Sequence, residues 1–271
     1  MELIDSHAHI DFPQFAEDRE TMLDRARLAG VSTLLAIGTG PGPEKLDSAL
    51  PFAEQHDWIY ATVGIHPHEA KEVMQQHLDD LARLAKHPKV IAWGEIGLDY
   101  YYDHSPREVQ RQVFVRQMQM ARAANLPIVI HCRPSESSEN AWDECLGFIE
   151  EHWSASKLGG ILHCFTGQEP HAQHAVELGF LVSFAGNITF PKAENIRQVA
   201  KQLPIEKMLI ETDSPFLAPV PHRGKRNEPA FVVRVAEKIA ELRGISVDQV
   251  ARQTSENFHR FFDLTKNTRA S

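Results

Sequence analysis

The sequence predicts an α/β protein, a single (β/α)8 TIM barrel with a metal site at the C-terminal ends of its strands. Three observations carry this expectation. Eight short apolar segments alternate with amphipathic helical ones, the pattern of a parallel sheet built from βα units. Several of these segments end in a histidine, glutamate or aspartate. The length, 271 residues, matches one barrel of this kind. An open doubly wound sheet is the runner-up, but that fold usually carries a Gly-rich turn after its first strand. Here His7-Ala8-His9 stands in that place.

Each element follows from local pattern. Strand one runs from Leu3 to His7, and the helix after it spans about Phe15 to Ala29, stopping at Gly30, a residue suited to a helix C-terminus. Strand two is Thr33 to Ile37, followed by a Gly/Pro turn and a helix from about Pro43. Strand three, Ile59 to Gly64, leads through Ile65-His66-Pro67-His68 to a helix ending near Lys86. Strand four is Val90 to Gly94, with Glu95 next, and a long helix covers about Pro106 to Asn125, with Val109, Val113, Phe114, Met118 and Ala121 on one side. Strand five, Ile128 to Ile130, ends at His131; a helix spans about Asn140 to Glu151. Strand six, Gly160 to Leu162, ends at His163, and its helix stops at Leu178 before Gly179. Strand seven is Phe180 to Phe184, with a helix over about Ala193 to Leu203. Strand eight, Met208 to Ile210, runs into Glu211-Thr212-Asp213. The last barrel helix carries Phe231 to Leu242 and stops at Gly244; Ser246 caps one more, and a short closing helix holds Phe258, Phe261 and Phe262. Residues 1–264 form one domain, and the polar tail 265–271 is expected to be disordered.

Composition narrows the function. With 42% hydrophobic and 24% charged residues, the chain has what a globular core needs. A net charge of -9 argues against a broad basic nucleic-acid surface, but leaves room for a small site where metals supply the positive charge. Three scattered cysteines, Cys132, Cys145 and Cys164, read as reduced thiols in the cytoplasm. Neither a signal peptide nor a membrane-spanning apolar run is expected from the pattern. Of the 15 histidines, His56, His77, His87 and His152 read as plain surface residues.

The remainder form a constellation. In an extended strand, residues two apart share a face, so His7 and His9 aim at one point. Strand four adds Glu95, strand five His131, strand six His163 and strand eight Asp213. In a barrel these ends converge on one face. Four imidazoles and two acids exceed what one tetrahedral ion needs and suit two divalent cations bridged by a carboxylate. Glu95 is the natural bridge, with His7 and His9 on one ion and His131 and His163 on the other. Asp213 ligates the first ion and accepts a proton from the attacking water. Such a pair suits hydrolysis at phosphorus.

The motifs His7-Ala8-His9, Gly94-Glu95-Ile96-Gly97-Leu98-Asp99, Ile130-His131-Cys132-Arg133, His163-Cys164-Phe165, Glu211-Thr212-Asp213 and Arg226-Asn227-Glu228-Pro229 occur in that order. Together they resemble the TatD family of metal-dependent hydrolases, within the amidohydrolase-like barrels, from Asp5 to the helix near Phe258. The resemblance implies a deoxyribonuclease that cleaves DNA phosphodiesters, often as a 3′→5′ exonuclease on single strands. It implies the same ligand roles for His7, His9, Glu95, His131, His163 and Asp213. It also implies activity with Mg2+ or Mn2+, whereas the imidazole-rich donor set suits Zn2+ or Mn2+ for tight binding.

Further candidates surround this set. Arg133 is placed to pair with a substrate phosphate. His66 and His68 end strand three on the same face. Arg223, Lys225 and Arg226 lie in the loop after strand eight, where barrels often bind phosphate. Glu211 shares the inward face of Asp213 and reads as a support to the ligands. Tyr100, Tyr101 and Tyr102 read as barrel rim, with base stacking the alternative. Two rival functions stay open: a binuclear amidohydrolase or aminoacyl-tRNA deacylase, and a metal-stabilised binding protein without turnover. Many of the first kind bridge their metals with a carboxylated lysine, and the segment from Trp93 to Asp99 has none.

Overall fold

Eight parallel strands follow one another around a single sheet in chain order: β1 (Leu3–Ala8), β2 (Val31–Ala36), β3 (Ile59–Val63), β4 (Val90–Asp99), β5 (Ile128–Arg133), β6 (Gly160–Leu162), β7 (Phe180–Phe184) and β8 (Met208–Ile210). The computed structural model describes residues 1–39, 42–135 and 140–264; the expected disordered tail 265–271 and part of the Gly/Pro turn after β2 lie outside the described residues. Helices α1 (Arg19–Leu28), α2 (Leu50–Gln55), α3 (Gln75–Leu84), α4 (Arg107–Ala123), α5 (Ala141–His152), α6 (Glu169–Glu177), α7 (Glu194–Gln202) and α8 (Val232–Arg243) connect or follow the strands. A ninth, α9 (Val247–Phe262), ends the described chain. No helix among the described residues is long and apolar enough to cross a membrane.

Strand alternation divides the buried residues into two clusters. Leu34 and Ala36 of β2 pack outward with Met22, Phe114, Ile149 and Val235 of the helices. Leu35 and the adjoining Ile37 point inward, meeting Ile4, Ala92, Val129, Ile161, Leu181 and Leu209 from the other strands. Phe258 of α9 joins this inner cluster, with Phe261 and Phe262 against it. Helix α9 thereby closes the N-terminal end of the barrel, where Asn257 Nδ2 donates to the carbonyls of Ile205 (2.7 Å) and Met208 (2.8 Å).

The barrel closes between β8 and β1 by individual bonds rather than a continuous ladder. Ala8 bridges Ser214, Asp213 N–H donates to the His7 carbonyl (2.9 Å), and His9 N–H to that of Ser214 (2.8 Å). Asp5 ties this seam further: its Oδ1 accepts from Thr212 N–H (2.9 Å) and His7 N–H (3.3 Å), and its Oδ2 from the Thr212 hydroxyl (2.6 Å).

Several expected boundaries shift. The first helical segment splits into a 3-10 turn at Pro13–Phe15 and α1. The segment from Pro43 is a 3-10 turn followed by the short α2, which carries Pro51 in its first turn, where a missing N–H breaks no helical bond. Strand β4 continues to Asp99 instead of stopping at Gly94, and β5 reaches Arg133. A glycine in the added stretch lets β4 and β5 pair: Gly97 has φ +144°, and a Cβ there would collide with the His131 carbonyl. The two expected closing helices are the single α9. His77 is buried rather than on the surface, its Nδ1 accepting from Met74 N–H at the start of α3.

Replacing Asp5 by alanine strands the buried donors of Thr212 and His7. The Asp5→Ala variant is expected to lose about 2–3 kcal/mol of stability, read as a lowered midpoint in urea unfolding.

Candidate metal centre

Local structure aims the side chains before chemistry uses them. His7 lies in β1 and His9 just past its end, with His7 fully buried and His9 nearly so. Glu95 stands midway along β4 and is 2% exposed. His131 is in β5; His163 follows β6, its N–H bonded to the Ile130 carbonyl at 3.1 Å. Asp213, after β8, has φ +56°, a left-handed conformation that costs a non-glycine residue energy. The seam bond to His7 and the Phe216 N–H donating to the Asp213 carbonyl (2.9 Å) hold it there.

Glu95 is the point on which the set converges, and its two oxygens face different partners. Oε2 lies 3.4 Å from His7 Nε2 and 3.7 Å from His9 Nε2. Oε1 lies 2.7 Å from both His131 Nδ1 and His163 Nε2, and 3.6 Å from His66 Nε2. Asp213 Oδ1 joins the first group, 3.5 Å from His9 Nε2 and 3.8 Å from His7 Nε2. The His7 and His9 Nε2 atoms are 3.3 Å apart. Donors bound tetrahedrally at about 2.1 Å from one ion stand about 3.4 Å from each other. His7, His9 and Glu95 Oε2 therefore lie close enough together to share a cation, with Asp213 Oδ1 beside the two imidazoles. On the other side, His131 and His163 already share one carboxylate oxygen. The rings of His7 and His163 stack at 3.8 Å, packing one imidazole of each group against the other.

The charges agree with this arrangement. Burial alone would drive Glu95 towards its neutral form; positive charge on the surrounding imidazoles, His163 foremost, outweighs it and holds the carboxyl well below the usual carboxylate range. Burial would likewise neutralise Asp213, and its bond to His9 keeps its value low. Burial lowers His163, but the charges of Glu95 and Glu211 overcome this and raise it well above the usual imidazole value. His131 rises similarly through its bonds to Asp99 and Glu95, against burial. His9 rises through Asp213 and Glu95, also against burial. His7 falls, through burial and then His163. His66 falls to about 3, through burial and then His131. The carboxylates are thus held anionic among imidazoles, a donor set that divalent cations can bind.

A family model described as TatD related DNase matches residues 4–263. The chain belongs to the TatD family. YabD of Bacillus subtilis, named an uncharacterized metal-dependent hydrolase, is 39% identical over 262 residues, covering 97% of this chain and 99% of its own. A protein of Erwinia tasmaniensis named 3′-5′ ssDNA/RNA exonuclease TatD is 34% identical over 97% of this chain and 100% of its own length. The crystal structure of YjjV, a TatD homologue from Escherichia coli K12, superposes with a TM-score of 0.88 at 31% identity, covering 96% of this chain and 98% of that one. The chain is thus a member of a metal-dependent hydrolase family, with the fold and the carboxylate–histidine cluster that the sequence suggests.

Two further carboxylates stand behind the cluster. Asp99 Oδ2 lies 2.9 Å from His131 Nε2 and 2.9 Å from His68 Nε2. Glu211 Oε1 lies 3.2 Å from His163 Nδ1 and accepts from Cys164 N–H at 2.6 Å. Each fixes the ring that faces Glu95 Oε1, as a carboxylate behind a metal-binding histidine does. Asp99 is absent from the sequence-derived site because β4 is expected to end at Gly94. With the strand continued, Asp99 stands four residues beyond Glu95, and both reach His131.

The cluster lies at the base of a cavity of about 680 Å3, whose walls include His66, His68, Tyr102, Arg133 and Phe216. Arg133 is exposed at its edge, its guanidinium 4.3 Å above the Tyr101 ring centre and 4.8 Å from that of Tyr102. Tyr101 and Tyr102 are exposed, whereas Tyr100 is buried and donates to Glu144 Oε2 at 2.7 Å. Arg226 stands outside the cavity lining. Its guanidinium donates to both Asp18 oxygens (2.7 and 2.8 Å) and lies over the Phe15 ring.

Two predictions follow from these supports. Asp99→Asn should lower metal affinity about 10- to 100-fold, measured by competition with a chelating dye. Arg226→Ala should leave KM unchanged and lower stability at neutral pH by about 1 kcal/mol. Hydrogen bonds from Arg226 and Arg25 depress the Asp18 value. That stabilisation is present above the unfolded aspartate value of about 4 and is lost as pH falls through the lower folded value. Urea unfolding should therefore show the gap between Arg226→Ala and the parent protein closing under acid conditions.

Proposed function

We propose that this protein hydrolyses phosphodiester bonds in DNA, shortening single-stranded ends in the 3′→5′ direction with two divalent cations. The observation that carries this is the division of Glu95, one oxygen towards His7 and His9 and the other towards His131 and His163, at the base of an open cavity. His7, His9, Asp213 and Glu95 Oε2 would hold one cation, and His131, His163 and Glu95 Oε1 the other. Bound there, the cations supply Lewis acidity that eases deprotonation of water and balances charge growing on phosphoryl oxygens.

The chain's own groups do the rest. Asp213, anionic at neutral pH and facing His9, accepts the proton of the attacking water. Asp99 and Glu211 hold His131 and His163 in orientation. His66, kept neutral by burial, offers an uncharged imidazole to a phosphate oxygen or to the water network. Arg133 makes no ion pair among the described residues and is available to a backbone phosphate at the rim. The exonuclease name of the Erwinia relative supports a single-stranded substrate, and three free thiols agree with residence in the cytoplasm.

The test is digestion of 3′- and 5′-labelled single-stranded DNA by chelated enzyme resupplied with Mg2+, Mn2+ or Zn2+. Metal-dependent shortening from the 3′ end is expected. Asp213→Asn should reduce kcat about 100-fold or more while retaining most metal; Glu95→Ala should lose metal stoichiometry along with activity. Full turnover by metal-loaded Asp213→Asn would remove its role as proton acceptor. No cleavage with any metal would overturn the DNA substrate and turn the search to small phosphate esters, amides and aminoacyl-tRNA.

A further inference from the structure

The exposed aromatic rings are concentrated in one place. Among the described residues, the large aromatic side chains classed as exposed are Tyr101 (52%), Tyr102 (49%) and Phe216 (45%). All three belong to loops at the catalytic end of the barrel. Tyr101 and Tyr102 follow β4, and Phe216 follows β8; in a closed ring of eight these positions face each other across the cavity. Tyr102 and Phe216 both line it.

Phe216 is held in place despite its exposure. Its N–H donates to the Asp213 carbonyl at 2.9 Å. Its carbonyl accepts from Asn227 Nδ2 at 2.6 Å, and the same amide donates to Thr212 (2.8 Å). Asn227 is fully buried. The ring stands edge-on to Phe12 (5.8 Å between centres, 88°) and to His9 (6.1 Å, 71°). A rigid loop thus keeps an apolar ring open to the cavity, in contact with a histidine of the candidate metal centre.

Building on the nuclease reading, we infer that Phe216, braced by Phe12, is a stacking platform for the nucleobase beside the scissile phosphate. The opposite wall, with the Arg133 guanidinium over Tyr101 and Tyr102, receives the continuing strand. A base inside a duplex has both π faces covered by its stacked neighbours, whereas a frayed or single-stranded end leaves a face open, so this platform favours such ends. It tolerates any base, because stacking reads no hydrogen-bonding edge. The chain's net charge of -9 makes such a contact useful: overall electrostatics do not attract DNA, and local stacking must help retain it.

The experiment compares metal-loaded wild type, Phe216→Ala and Phe216→Trp on two single-stranded oligonucleotides, one normal and one abasic at its last two 3′ nucleotides. For the normal end, Phe216→Ala should raise KM about tenfold with kcat nearly unchanged, and Phe216→Trp should restore KM. For the abasic end, all three proteins should share one raised KM. Metal content and circular dichroism should be the same for all three. An equal KM penalty from Phe216→Ala on both ends, or none on either, would overturn the stacking platform while leaving the nuclease intact. Failure of wild type to shorten the normal oligonucleotide would overturn the nuclease reading itself, and the platform with it.

Discussion

A buried carboxylate with two faces organises this molecule. Glu95 is almost inaccessible to water, and an isolated anion at such a depth would be strongly disfavoured. It is retained because four elements deliver imidazoles to its oxygens: β1, the loop after β3, β5 and the loop after β6. Those imidazoles depend in turn on carboxylates behind them, Asp99 and Glu211, and Asp213 supplies a further acid from the far side. The barrel makes this possible. Strands remote in sequence end within a few ångströms of one another, so a charged cluster can be satisfied by groups that no short segment could assemble.

Much of this arrangement is legible in the sequence, because a parallel barrel converts one-dimensional pattern into position. Each histidine and acid of the cluster stands at or near the end of an apolar segment, and strand alternation places His7 and His9 together. What escapes is where local rules conflict with tertiary demand. Gly94 suggests that a strand has finished, but it packs closely against Val129 inside the strand, as Gly97 does against the His131 carbonyl. Reading that stretch as a terminus conceals Asp99. Likewise, Phe258 to Phe262 resembles a separate closing helix until the barrel's open base provides something for a continuous helix to plug. Arg226 illustrates the opposite difficulty: a cation in the right loop is visible in sequence, but the partner that occupies it, Asp18, comes from a distant segment.

The cavity combines two kinds of recognition. Its base is built from charged and polar groups whose partners are fixed, and its rim from rings held by well-bonded loops. On the proposed nuclease reading, the base meets the part of a nucleic acid that is the same in every nucleotide, the phosphate, and the rim meets planar bases without distinguishing their edges. Neither requires a broad positive surface, so an acidic protein can present a small site to a polyanion.

The seam between β1 and β8 also imposes an order on assembly. Asp5 and Thr212 are separated by 207 residues, and the donor group begun by His7 and His9 is completed only by Asp213. During synthesis, the first two histidines emerge early but remain without their acidic partner until nearly the whole barrel has been made. The His131–His163–Glu95 group, by contrast, draws on a middle segment and is available sooner. A ribosome-bound fragment therefore lacks the complete carboxylate–histidine cluster, which is assembled only once the segment after β8 has been made.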